Sequence, residues 1–88
     1  MNPTITVSPN VVFKRLGEEV ILINLDTDRI FSLNQTGAKT WELIENTSNL
    51  DLVKKGLLEE FDVSPDVLES ELDRILTALV IEGFVSID

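Results

Sequence analysis

Leu25-Asp26-Thr27-Asp28-Arg29-Ile30-Phe31-Ser32-Leu33-Asn34-Gln35-Thr36-Gly37-Ala38-Lys39-Thr40-Trp41-Glu42-Leu43-Ile44 decides the fold, because a strand signal turns into a helix signal inside it with no loop between. Arg29 to Leu33 reads as a strand, with Phe31 and Leu33 in one phase and Ile30 in the other. Asn34 stops it. Asparagine is a preferred N-cap, since its side-chain oxygen accepts orphan amide hydrogens of the next turn, and from Ala38 through Trp41 to Ile44 the apolar spacing becomes helical. Trp41 is the only tryptophan. One turn into a helix of a small domain, a ring of that size is expected to anchor the core.

Upstream, Val11 to Arg15 is a short β-compatible run and Leu16-Gly17-Glu18-Glu19 supplies turn chemistry. Val20-Ile21-Leu22-Ile23 is apolar at consecutive positions, which fits a strand lying centrally or covered on both faces. Asp26-Thr27-Asp28 then reverses the chain, with an Asp expected to take the left-handed conformation. The paired carboxylates do not start a calcium loop: counting from Asp26, the loop's glycine position holds Phe31 and its bidentate glutamate position holds Gly37. Asn2 to Asn10, interrupted by Pro3 and Pro9, reads as a loose arm, so residues 1–10 are expected to be a flexible N-terminal arm and 11–88 a single domain.

Downstream, Ser48 followed by Asp51 resembles a capping box and opens a second helix with the stripe Leu50, Val53, Leu57 and Phe61. Gly56 weakens that helix by about 1 kcal/mol relative to alanine unless another backbone approaches it closely. Ser64 as N-cap, Pro65 at the first helical position and Asp66 next start a third helix. Its core stripe is Leu68, Leu72, Ile75, Leu76 and Leu79, and Gly83 closes it. Beside that stripe lies a mixed one of Glu71, Arg74, Ala78 and Ile81. Phe84-Val85-Ser86-Ile87 alternates and predicts a short terminal strand. Three antiparallel strands followed by three helices make an α+β, winged helix-turn-helix-like domain.

Composition narrows the function. The 88 residues suffice for one domain with one continuous core. With no cysteine and no histidine, thiolate nucleophiles, disulfides, imidazole acid-base chemistry and zinc or haem ligation by those side chains are all excluded. No enzyme activity, cofactor or metal is expected. A formal net charge of −9 repels phosphate backbones, which handicaps a role on DNA. The N-terminus lacks a basic region followed by an apolar run, and no stretch is long enough to cross a bilayer, so the expected compartment is the cytoplasm.

From Val20 to Val85 the sequence resembles the PqqD-like family, the precursor-recognition elements of pathways that make ribosomally synthesised, post-translationally modified peptides. The resemblance rests on Val20-Ile21-Leu22-Ile23-Asn24-Leu25-Asp26, then Phe31-x-Leu33-Asn34-x-x-Gly37-x-x-x-Trp41, then Phe61-Asp62-Val63, and finally Leu76-x-x-Leu79-x-x-x-Gly83-Phe84. Asp28 stands where the family commonly has glycine, and Glu71-Leu72 where an Asp-Val pair is frequent. The resemblance implies a non-catalytic module in which a precursor's leader peptide adds as an antiparallel strand to the third strand and lies against the third helix. A peptide-modifying or leader-cleaving enzyme is the second partner implied, of the lasso-peptide type or the radical SAM type.

On that basis Arg29, Ile30, Phe31, Ser32 and Leu33 are expected to carry the strand pairing, with one of Ile30 and Ser32 presenting its amide outward and the other not. Glu71, Arg74, Ala78 and Ile81 are expected to border the side-chain groove, with Arg74 meeting a leader carboxylate. Two other functions remain open from the residues alone. One is a winged-helix DNA-binding regulator, against which Glu69, Glu71, Asp73 and Glu82 count. The other is a structural adaptor that docks on a partner enzyme without touching peptide.

Overall fold

A computed structural model describes residues 4–88. The chain runs β1 (Ile5–Val7), β2 (Val11–Leu16), β3 (Glu19–Asn24), β4 (Arg29–Leu33), α1 (Gln35–Asn46), α2 (Leu50–Glu60), α3 (Pro65–Ile81) and β5 (Val85–Ile87). Strands β2, β3 and β4 form an antiparallel sheet in that spatial order, so the apolar run Val20-Ile21-Leu22-Ile23 is central and both β2 and β4 are edges. Side chains alternate across a sheet. Val20, Leu22 and Leu33 are accordingly buried against the helices, while Ile30 lies on the outer face in one row with Ile23 and Val12.

The junction between β4 and α1 is made as its residues dictate. Asn34 Oδ1 accepts from the Gly37 amide at 3.0 Å, which fixes the first turn of α1. A Cβ on Gly37 would lie 2.9 Å from Leu33 Cδ2, closer than real carbon atoms pack, so any other residue there would have to push the buried Leu33 side chain aside. Trp41 is buried at 1% exposure, as its place on the helix predicts. Its Nε1 has no hydrogen-bond partner among the described residues, an exception to the usual pairing of buried donors.

The third helix buries Leu68, Leu72, Ile75, Leu76 and Leu79, all five of the expected stripe. Ser64 caps it through Oγ, and Gly83, at φ +82°, turns the chain out of it. Buried Asn24 fastens that turn to the sheet: its Nδ2 donates to the Gly83 carbonyl at 2.9 Å and its Oδ1 accepts from the Asp26 amide at 2.9 Å. Asp28 takes the left-handed conformation at φ +59° that the reversal into β4 requires.

Two expectations are corrected, and the condition set for Gly56 is answered. Within residues 1–10, the stretch from Thr4 onward is no loose arm, because Ile5–Val7 pairs with Val85–Ile87 and Ile5 is almost fully buried; residues 1–3 lie outside the described part. Pairing partners at opposite ends of the chain leave no local signal, and two prolines suggest a break where they merely flank a strand. The cap of α2 is Asn49, whose Oδ1 accepts from the Asp51 and Leu52 amides at 2.9 and 3.2 Å, and not Ser48, whose carbonyl is engaged by the Ile5 amide. At Gly56 the close neighbour is a side chain and not a backbone: a Cβ there would meet Leu43 Cδ2 at 2.8 Å.

Candidate functional site

The β4 edge and the face of α3 beside it form a groove, and the sheet register shows what each residue contributes. The Leu25 amide donates to the Asn10 carbonyl, so alternate residues Leu25, Ile23 and Ile21 direct their backbone groups towards β2, and Asn24, Leu22 and Val20 direct theirs towards β4. Their partners Arg29, Phe31 and Leu33 are therefore satisfied within the sheet. Ile30 and Ser32 have no such strand partner among the described residues. Both turn their N–H and C=O outward, which corrects the expectation that one of them faces inward: residues two apart on a strand share a direction.

Side chains follow the complementary alternation. Phe31 is half-buried and tilts against Phe84, with ring centroids 5.9 Å apart, and Leu33 is buried beneath the start of α1. Between them and α3 lies a depression of about 150 Å³ lined by Phe31, Ser32, Leu33, Arg74, Ile75 and Ala78, with Asn34 and Gly37 at its α1 end. Its volume suits one aliphatic side chain, not a small-molecule cofactor, for which pockets usually measure several hundred Å³.

Charge brackets the depression. Arg74 pairs with Glu71 one turn earlier on α3, and both remain partly open to solvent. Arg29, the first residue of β4, reaches across to Glu82 at the end of α3 with Nη1 to Oε2 at 3.2 Å. Exposed pairs of this kind contribute little to stability, on the order of 0 to 1 kcal/mol. The groove thus offers two outward backbone positions, one apolar seat and a partly exposed ion pair at each end.

Of the expected site residues, Phe31, Ser32, Leu33, Arg74 and Ala78 come together in one depression. Glu71 joins through Arg74, and Arg29 stands at the far end with Glu82. Ile30 adds its backbone, since its side chain is on the outer face. Ile81 does not line this depression: at 74% exposure it borders another on the opposite flank of α3. The residues that sequence reasoning missed are Asn34, Gly37, Ile75 and Glu82. Asn34 and Ile75 read in the sequence as cap and core, Gly37 enters there as part of the family motif, and Glu82 carries no signal beyond its charge, because its partner lies 53 positions away.

Comparisons with known proteins bear on this groove. A structure described as "TbiB1 in Complex with the TbiA(beta) Leader Peptide" is similar to this chain with a TM-score of 0.85 and 26% identity, over 92% of this chain and 94% of that one. No curated protein sequence matches. The family model described as "Coenzyme PQQ synthesis protein D (PqqD)" matches residues 19–85, a span that holds β3, β4, all three helices and every residue of the groove. The chain belongs to the PqqD family.

Proposed function

We propose that this chain is a non-catalytic recognition module that captures the leader segment of a ribosomally synthesised precursor peptide by strand addition at β4 and presents it to a modifying or leader-cleaving enzyme. The observation that carries this reading is the open β4 edge, with Ile30 and Ser32 unpaired, set beside an apolar seat on α3. Strand addition draws affinity from backbone hydrogen bonds and selectivity from alternate side chains, and the groove provides for both. Likeness to a leader-bound structure supports it further. The reading places the protein in the cytoplasm, with precursor and enzyme; no helix among the described residues is long and apolar enough to cross a membrane.

Isothermal titration with synthetic leader segments of ribosomally synthesised precursor peptides tests the proposal. Wild type should bind saturably, and Ala78→Asp should weaken binding at least tenfold, because a charge would stand where an apolar side chain must be desolvated. Absence of wild-type binding would favour the adaptor reading. A salt-sensitive duplex shift by wild type would favour DNA, which the exposed Glu69 and Asp73 on α3 oppose.

A further inference from the structure

Antiparallel addition to β4 gives the bound leader a direction, and the direction selects a surface. Strand β4 runs from Arg29 to Leu33, and the Arg29–Glu82 pair puts its beginning beside the end of α3. A leader antiparallel to β4 enters beside Leu33 and Arg74 and leaves beside Arg29 and Glu82. The segment to be modified follows the leader, so it emerges at the C-terminal end of α3. There Val80 and Ile81, next to Glu82 in sequence, are 43% and 74% exposed, and with Ile87 of β5 they rim a depression of about 280 Å³ floored by Leu50 and Leu76.

We propose that this Val80–Ile81–Ile87 patch is the docking surface for the enzyme that acts on the emerging segment. The inference rests on the leader-capture reading. Large aliphatic side chains clustered at the surface mark interaction sites more often than single exposed ones do. The patch begins on the crest of the same helix that lines the leader groove, so an enzyme seated on it would meet the substrate as it leaves. Asp73 lines the depression on a chain of net charge −9, so the fitting partner is a protein surface with an apolar centre and a basic rim.

The test uses Val80→Glu and Ile87→Glu, singly and together, in the full chain. Leader affinity is measured by fluorescence polarisation, and mature product by mass spectrometry in cells that co-express the precursor and the modifying enzyme of the same pathway. Leader affinity within twofold of wild type, with product reduced at least tenfold in the double variant, is the expected result. Unchanged product would overturn the inference. A parallel loss of leader affinity and product would overturn it too, since the patch would then serve the groove or the fold. Failure of wild type to bind leader would instead refute the leader-capture reading itself.

Discussion

The sheet has two free edges, and they are built differently. On β2 the outward backbone positions are Val11, Phe13 and Arg15, by the same register that exposes Ile30 and Ser32 on β4. The hollow beneath β2, between it and α1, is the larger of the two at about 470 Å³, with Phe13 set edge-on to Trp41 at 6.4 Å. Yet Arg15 straps that hollow to α1 through Glu42 at 3.1 Å, and Lys39 holds the same carboxylate at 3.5 Å. Consecutive cations on an edge strand, Lys14 and Arg15, are a common defence against unwanted pairing. On β4 the only charge is Arg29, at its first residue, and the middle of the strand is undefended. On the proposed reading, size of hollow is a poor guide to which edge takes a peptide, and the distribution of charge along the strand is a better one.

Three experiments break or sharpen that contrast. The largest effect should come from Trp41→Ala, which removes the buried ring from the wall beneath β2 and should destabilise the fold by about 3 to 5 kcal/mol, close to the whole stability of a small domain. Thermal denaturation checks it, and a variant melting like wild type would mean that the β2 side does not rest on Trp41.

Next comes proline at the edges. Ile30→Pro and Ser32→Pro should each weaken leader binding at least tenfold, about 1.4 kcal/mol, because each removes an outward donor, whereas Arg15→Pro on β2 should leave leader affinity unchanged. If Arg15→Pro weakens binding and the two β4 variants do not, the edges have been assigned the wrong way round; equal loss in all three would mean that proline disturbs the sheet itself. Arg74→Glu should have the smallest effect. It should lower leader affinity severalfold at low salt and less as ionic strength rises, since a rim charge is screened over about 8 Å at physiological salt. Titrations at two salt concentrations measure it, and a salt-independent loss would point to a steric role for Arg74.

The main sheet and the helices were legible in the sequence because their signals are local. Apolar runs, the Asn34 and Ser64 caps and the left-handed Asp28 each act within a few residues. The core stripe of α3 was legible for the same reason: its period is a property of one helix. What stayed hidden depends on partners far apart in the chain. Strand β1 forms because β5 lies alongside it; Asn24 is buried because Gly83 offers it a carbonyl; Glu82 matters because Arg29 reaches it. The groove was half legible on this account. Its β4 side followed from alternation, whereas the placing of Ile81 outside it depends on how α3 is rotated against the sheet, which helical spacing alone leaves free within a residue or so.

Pairing of β1 with β5 also brings the described ends of the chain together, with the Thr4 amide donating to the Asp88 carbonyl at 3.3 Å and the Asp88 amide to the Thr4 carbonyl at 3.0 Å. A domain that begins and ends at one point needs only one attachment site. A host protein can receive it within a single surface loop, by insertion, as readily as at a terminus, without spreading the loop or stretching either junction.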